Sequence, residues 1–491
     1  MKHIFLHLAF LVSMSPAWAD RLPNIIILYA DDMGFGDLGA NNPKSKIPTP
    51  HLDKLAASGM RFTDGHSSSG ICTPSRYALL TGRAHWRDFH GIVDSFGKPS
   101  FQPNQLTMAE MLRKKGYATA AIGKWHLGWD WDAIRKPGTP AKSNQFADFD
   151  WSKPIPGGPL ERGFDYYFGD DVINFPPYAW IENNKVVKAP DTMLDEKTWK
   201  KIKEGRWECR PGPMVTGWDP YENLPTLTQK SVDYVLSRKD KDQPFFLYAP
   251  FPSPHAPIIP GDAFDGKSEA GAFGDYVAQT DAACGRILAA LESIGQSKNT
   301  MVVFSADNGP ENYAIERKEK FHHWSSEPLR GLKRHIYEGG HRVPTIISWP
   351  GVIKAGSVSD ALFAQTDLMA TFAAVTAVEL PDNAAQDSYN FLPYLRGESK
   401  QGPRAAMVHN TNPNAYALRD GEWVLVNAIP AGVKKVKASK EKPGNLELYH
   451  LKEDIAQTNN VAAQHPERVK ALQALLDRIH AQGYCAPRLQ Q

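Results

Sequence analysis

Cysteine is scarce in this chain. There are four in 491 residues, Cys72, Cys209, Cys284 and Cys485, and no two of them are closely spaced. That excludes the disulfide framework of a small stapled domain and the paired cysteines of a structural zinc site. Long hydrophobic runs are missing too. The apolar run from Ile4 to Val12 is too short for a bilayer, which needs about 20 apolar residues, and no later stretch reaches that length. No membrane partner is expected. An excess of one charge is also absent: 56 Lys and Arg stand against 54 Asp and Glu, a net charge of +2. Nothing in the bulk charge points to nucleic acid, and an anionic ligand would have to be held by a local cluster. There is no internal repeat. With 42% hydrophobic and 22% charged residues the composition excludes disorder on a large scale.

What is present begins with a processing signal. Lys2 and His3 precede the run Ile4 to Val12, and Ala17-Trp18-Ala19 supplies a small-x-small cleavage site. Residues 1–19 therefore read as a signal peptide cut after Ala19, and the mature protein as exported, periplasmic or secreted. The rest is too long for one compact core. It divides by pattern into 20–395 and a smaller segment, 396–491.

In the first segment, helices alternate with apolar strands. Ile25 to Ala30 is a continuous apolar run, as expected of a strand buried on both faces. "TPHLDKLAASG" predicts a helix with Thr49 as N-cap, Pro50 in the first turn and Gly59 as the stop. "LTMAEMLRKKG" and "YATAAIG", then "LTQKSVDYVLSR" and "QPFFLYAP", then "GDYVAQTDAACGRILAALESIG" and "TMVVFSADNG", repeat the helix–strand order. The fold class is α/β, a large and mostly parallel sheet flanked by helices. Residues 129 to 220 lack periodicity and read as inserted loops of the kind that carry recognition. After about residue 395 the pattern changes to a hairpin turning at Asp420-Gly421, a lysine-rich stretch, the strand "LELYHL" and the helix "PERVKALQALLDRIHAQ". This is a small C-terminal α+β domain.

Two of the buried strands deliver similar groups. "IIILYA" leads into Asp31 and Asp32; "MVVFSA" leads into Asp307 and Asn308. Ligands gather at the carboxyl ends of parallel strands. Three carboxylates and an amide offer only oxygen, the ligand set of Ca²⁺ or Mg²⁺. Either motif alone also suits a helix cap or a turn. "CTPSRYALLTGR" sets Cys72 at or beside a helix N-terminus, with Pro74 in the first turn and Arg76 one turn on. A cysteine there is expected to be activated as a thiolate. "AIGKWHLG" offers Lys124 and His126, "PFPSPHAP" offers His255 in a stiff loop, and "LRGLKRH" offers Lys333. Singly these read as solvated or structurally satisfied side chains. Beyond neighbouring strand ends they would together hold an anionic tetrahedral group, with His255 protonating a leaving oxygen.

The same residues resemble the type I sulfatases. "CTPSRYALLTGR" is similar to that family's Cys-x-Pro-x-Arg signature, and "PNIIILYADDMGFGDLGA", "GYATAAIGKWHLG", "SPHAP", "SADNGP" and "LRGLKRHIYEGGHRVPTIISWPG" resemble its other motifs over nearly the whole mature chain. The resemblance implies an alkaline phosphatase-like fold and arylsulfatase-type hydrolysis of sulfate esters. It implies that Cys72 is oxidised to Cα-formylglycine by a maturation enzyme and that one hydroxyl of its hydrate attacks sulfur. It implies Asp31, Asp32, Asp307 and Asn308, together with the modified Cys72, around Ca²⁺, with Mg²⁺ the lesser alternative. Arg76 and Lys124 would then stabilise the formylglycine, His126 help to activate it, and Lys124, His255 and Lys333 contact the sulfate. The segments "GHSSSGICTPSRYALLTGR" and "GDDVINFPPYAWIENNKVV" are similar to sulfatases acting on 6-O-sulfated galactose or N-acetylgalactosamine, with Asp171 and Asn174 as sugar contacts. The rivals are a phosphonate or phosphate monoester hydrolase of the same superfamily and a glycan-binding protein whose cysteine is never converted.

Overall fold

A computed structural model describes residues 21–194, 202–206, 208–431, 433 and 445–487. The expected signal peptide, and all but one residue of the lysine-rich stretch 432–444, lie outside them. The first half runs β1 (Asn24–Ala30), α1 (Pro50–Ser58), β2 (Met60–Phe62), β3 (Gly65–His66), α2 (Cys72–Thr81), α3 (Met108–Lys114), β4 (Ala118–Ile122) and β5 (Tyr166–Gly169). The short strands β6 (Ile181–Glu182), β7 (Lys185–Val186), β8 (Thr192–Met193) and β9 (Pro213–Met214) lead to α4 (Asn223–Leu236), β10 (Phe245–Pro250), α5 (Gly271–Ser293) and β11 (Thr300–Ala306). Then come α6 (Ala314–Phe321), α7 (Glu338–His341), β12 (Thr345–Ser348), β13 (Ser357–Ser359), β14 (Phe363–Ala364), α8 (Asp367–Thr376) and α9 (Leu392–Leu395). The chain closes with β15 (Ala406–Asn412), β16 (Ala415–Asp420), β17 (Trp423–Ala428), β18 (Glu447–His450) and α10 (Pro466–Gln482).

Ten strands form one sheet in the order β13-β2-β12-β11-β1-β10-β4-β5-β6-β7. The middle of it, β11-β1-β10-β4-β5, is parallel throughout. Its apolar runs alternate between two cores. Ile25, Ile27 and Tyr29 of β1 face one side with α2, α3 and α8, while Ile26, Leu28 and Ala30 face the other with α1, α4 and α5. Burial on both faces is what makes these strands continuous apolar runs rather than alternating ones. The edges differ: β12 is antiparallel to both β11 and β2, and β6 and β7 add antiparallel strands beyond β5. Part of the 129–220 stretch, expected to be loop, is therefore sheet edge.

The helix over 50–58 ends at Gly59 as expected, but Thr49 does not cap it. Its Oγ1 instead accepts the Gly39 amide at 2.9 Å. The first-turn amides of His51 and Leu52 donate to the two carboxylate oxygens of Asp281 on α5, at 3.2 and 2.8 Å. A tertiary carboxylate thus replaces the local cap, which also ties α1 to α5.

The C-terminal segment is a four-stranded antiparallel sheet, β15-β16-β17-β18, with the hairpin turning after Asp420. One face packs on α10 through Leu418, Leu425, Leu448, Leu472 and Leu476. On the other face Ala417, Val424, Val426 and Tyr449 cover Ile336.

Candidate active site

Strands β11, β1, β10 and β4 end side by side, and each hands a polar residue to one place. Ala30 of β1 is in register with Ala306 of β11, so Asp31-Asp32 and Asp307-Asn308 emerge together. Beyond β10 the chain reaches His255, and beyond β4 it reaches Lys124 and His126. Asp32 and His126 both adopt left-handed backbone, with φ of 64° and 55°. That region is uncommon for residues other than glycine and is found where surrounding structure imposes it. Close approaches fix the neighbouring turns. A Cβ on Gly309 would lie 1.9 Å from the Gly339 carbonyl, so only glycine lets the chain pass there after Asn308.

The carboxylates are held by a ring of cations. Arg76, wholly buried, donates from Nε and Nη2 to Asp307 Oδ2 at 3.1 and 2.9 Å and from Nη1 to the Lys124 carbonyl at 3.1 Å. Its side chain therefore points at Asp307 and comes within 3.5 Å of Asp31. Lys124 pairs with Asp31, and Lys333 with Asp32 at 2.8 Å. Asn308 Nδ2 donates to Asp32 Oδ1 at 2.6 Å, and the Asp32 amide donates to Asp307 Oδ1 at 3.2 Å. Burial pushes Asp31 up, but Lys124, His255, Arg76 and Lys333 outweigh it and hold the carboxyl well below its usual range. Asp32 goes the other way, to about 8, because burial and repulsion from Asp31, Glu311 and Asp307 outweigh Lys333. Two adjacent carboxylates pushed in opposite directions mark a site of concentrated negative charge.

Cys72 is the first residue of α2, every residue of which is buried. Its Sγ lies 3.7 Å from Asp31 Oδ1. The expectation of an activated thiolate is not met: burial pushes the thiol up to about 12, against the pull of Lys124 and Lys333 and with Asp307 and Asp31 adding to it. Lys124 and Lys333 do not compensate for the lost solvent.

Above this floor opens a cavity of about 450 Å³. Cys72, His126, His255, Lys333 and Asn174 line it, whereas Arg76 and Lys124 lie beneath with no exposed surface. Asp171 is not in the lining. Its Oδ1 accepts the His126 amide at 3.0 Å, so it positions the imidazole from behind. The His126 ring donates from Nε2 to the Val93 carbonyl at 3.0 Å, which leaves Nδ1, buried and without a partner among the described residues, as a bare lone pair. Burial, with Lys124 and Arg76 adding to it, holds this histidine well below its usual value. His255 donates from Nδ1 to the Ala256 carbonyl at 2.6 Å and turns Nε2 toward Asp32, 3.7 Å away. Burial and then Lys333 lower it to about 3, so its Nε2 carries no proton at neutral pH.

Sequence reasoning missed the rim. Phe175, Glu208, Arg210, Arg334, Thr411 and Asn412 complete the walls. The Arg210 guanidinium lies over the Phe175 ring, 3.7 Å from its centroid, and pairs with Asp94. Arg334 donates to both Glu311 oxygens at 2.7 and 2.6 Å. Arg334 stands beside Lys333 and was within reach of the motif. Thr411 and Asn412 arrive on β15, more than 300 residues after Cys72, and no local pattern announces them.

A second observation bears on a metal. Asn308 Oδ1 is buried and, among the described residues, without a hydrogen-bond partner; Asp31 and Asp32 cluster with Cys72 and His255, and the Asp32 amide ties Asp307 to them. The oxygens of Asp31, Asp32, Asp307 and Asn308 suit a hard divalent cation.

A floor of paired carboxylates and cations at the ends of parallel strands, opening on a cavity lined by imidazoles, has the groups that a hydrolytic centre uses. Comparison sets the family. Residues 23–378 match the Sulfatase family model, and residues 332–482 match the model described as N-sulphoglucosamine sulphohydrolase, C-terminal. The chain belongs to the sulfatase family and is a sulfuric ester hydrolase. The N-acetylgalactosamine-6-O-sulfatase of Bacteroides thetaiotaomicron is 32% identical over 93% of both chains. The N-acetylgalactosamine-6-sulfatase of Mus musculus is 34% identical over 79% of this chain and 69% of its own. Among solved structures, a sulfatase described in the metabolism of multiple glycosaminoglycans by Bacteroides thetaiotaomicron superposes with a TM-score of 0.79 at 31% identity. It matches 94% of this chain and 100% of its own.

Proposed function

We propose that the protein removes 6-O-sulfate from galactose or N-acetylgalactosamine of a sulfated glycan, through a formylglycine made from Cys72. The observation that carries this reading is the placement of Cys72 on the cavity floor, 3.7 Å from Asp31, beneath Lys333, His255 and His126. N-acetylgalactosamine-6-sulfatases among the relatives support the sugar and the position. The cavity volume suits a sugar unit entering sulfate first. The reading extends to an exported protein with residues 1–19 as signal peptide, 20–395 as catalytic domain and 396–491 as C-terminal subdomain, matured by a formylglycine-generating enzyme.

Asp31, Asp32, Asp307 and Asn308 would hold Ca²⁺ beside residue 72. When bound, the ion would offset the carboxylate charge and polarise a sulfate oxygen. Formylglycine would supply a hydrated aldehyde with a hydroxyl nucleophile for sulfur. The remaining chemistry belongs to the side chains described above. Arg76 fixes Asp307 and the Lys124 carbonyl, which sets the height of the floor. Lys124 and Lys333 bring positive charge to the developing sulfate oxygens. His126 Nδ1 offers the lone pair that accepts the nucleophile's proton. His255 Nε2 is bare in the free protein. Sulfate set against Lys333 offsets the charge that lowers it, and Nε2 then takes a proton from water and passes it to the leaving oxygen. Asn174 is the sugar contact at the wall, while Asp171 acts through the His126 amide.

The test is made on protein produced with its maturation enzyme. Mass analysis of the Cys72 peptide should show the thiol-to-aldehyde change, and turnover should favour 6-sulfated over 4-sulfated N-acetylgalactosamine. Faster cleavage of an aryl phosphonate than of the matched aryl sulfate would overturn the reading in favour of a phosphonate hydrolase. An unconverted, inactive protein that still binds glycan would overturn it in favour of a binding module.

A further inference from the structure

Away from the cavity, three histidines converge where the C-terminal sheet meets the main body. His66 ends β3, His341 ends α7 and His409 lies in β15; none is more than 1% exposed. One ring nitrogen from each lies within 4.8 Å of the other two. None of them takes part in the chemistry described above.

The hydrogen bonds fix two of the tautomers. His66 Nε2 lies 2.8 Å from Asp64 Oδ1, and the Arg419 guanidinium donates to both Asp64 oxygens at 3.3 and 2.9 Å, the pairing of a carboxylate. A carboxylate only accepts, so the proton sits on His66 Nε2. His341 Nε2 lies 3.2 Å from the Ile336 carbonyl, which also only accepts, so the proton again sits on Nε2. Both Nδ1 atoms therefore carry bare lone pairs, and they face each other at 3.1 Å. Two lone pairs at that separation repel unless a cation lies between them. A shared proton is one such cation. It would leave His409 unexplained, because both His409 ring nitrogens are buried and have no partner among the described residues. Burying a polar group unsatisfied is costly, and this residue does so twice.

We propose that His66, His341 and His409 form a second metal site, for a divalent transition cation of the zinc class, which staples β15 to the main body of the protein. Imidazole nitrogen suits zinc, cobalt, nickel or copper and not the calcium expected at the oxygen site. Tetrahedral zinc with bonds of about 2.05 Å sets its ligand nitrogens about 3.3 Å apart, close to the His66–His341 separation. The outer contacts have the form that metal-binding histidines take, with the second ring nitrogen donating to a carboxylate or a backbone carbonyl. His409 is stacked on His341, with ring centroids 3.5 Å apart and planes 17° apart. Coordination turns its ring out of that stack, and the turn breaks no hydrogen bond.

The experiment uses untagged, full-length matured protein, stripped with chelator, reloaded with Zn²⁺ or Co²⁺, and desalted before metal analysis. The expected result is one Zn²⁺ or Co²⁺ per chain that calcium does not displace, and a Co²⁺ visible spectrum of tetrahedral intensity. His409→Ala should weaken retention by about tenfold or more. His409→Gln repeats the test with a side chain of similar size and polarity. Less than a tenth of an equivalent retained by the unmutated chain overturns the proposal. So does a Co²⁺ spectrum of octahedral intensity, or retention by a folded His409 variant equal to that of the unmutated chain. The cobalt spectrum of the unmutated chain decides the matter even if neither variant folds.

Discussion

Replacing Arg76 by alanine removes a guanidinium that makes three hydrogen bonds in a wholly buried setting, two of them to one Asp307 oxygen. Breaking a buried ion pair by deleting one partner costs about 3–5 kcal/mol, because a charge is left unpaired. The cost has a ceiling. Burial and Asp31 already push Asp307 up while Arg76 opposes them, so without Arg76 the carboxyl can take up a proton. Protonating an ordinary aspartate costs about 4 kcal/mol at pH 7 and about 2 kcal/mol at pH 5.5. The stability defect of Arg76→Ala should therefore be largest at neutral pH and roughly halve at pH 5.5. For a chain of this size the unfolding entropy is about 1 kcal/mol per kelvin, so the expected fall in melting temperature is about 4 °C at pH 7 and about 2 °C at pH 5.5. Thermal melts of both proteins at the two pH values measure it. Turnover should fall by at least about 10²-fold, the usual scale for one preorganised electrostatic contact. Arg76→Lys keeps the charge without the fork and should lie between. Equal melting temperatures at pH 7, or a defect that grows toward acid, would refute the pairing argument.

Cys72→Ala should leave the melting temperature nearly unchanged and abolish turnover, since the role assigned to the residue is chemical; residual turnover with a true sulfate ester would count against it. For His255, the fraction of free protein with a protonated Nε2 rises about tenfold per unit as pH falls toward 3. For esters with poor leaving groups, kcat/KM should therefore rise as pH is lowered from 8. Activated aryl sulfates should lack that rise, and His255→Ala should lose it while slowing the poor leaving groups by about 10²–10⁴-fold; the same loss for every leaving group would exclude the acid role. Gly309→Ala places a methyl 1.9 Å from the Gly339 carbonyl and should shift Asp307 and Asn308, with loss of both stability and turnover in a melt and an ester assay.

The parallel middle of the sheet was legible in the sequence because Ile25 to Ala30 and Met301 to Phe304 are buried on both faces and form continuous apolar runs. The antiparallel edges were not. β2 has three residues and β6 and β7 two each, too few to show any period. The α1 cap was misassigned because Asp281 lies about 230 residues from the amides it accepts. In the site, residues just beyond strand ends could be read as a group, since parallel strands bring their carboxyl ends together. The direction of a side chain could not. Asp171 sits behind His126, and burial pushes the Cys72 thiol up, although each sits in a motif that suggested otherwise. Glu208 and Arg210 fall in an aperiodic stretch, and Asn412 in a hairpin whose contact with the cavity is purely tertiary.

The far wall of the cavity has a consequence for how such a protein diversifies. The charged floor is assembled from strand ends between residues 31 and 333, whereas Thr411 and Asn412 belong to the separate sheet that packs over Ile336. The cavity mouth is thus shared between two structural units, Asn174 and Arg210 from the main body and Thr411 and Asn412 from the C-terminal sheet, whereas the floor belongs to the main body alone. Changes in the β15–β16 hairpin can reshape what enters while Asp31, Asp307 and Arg76 keep their pairing untouched.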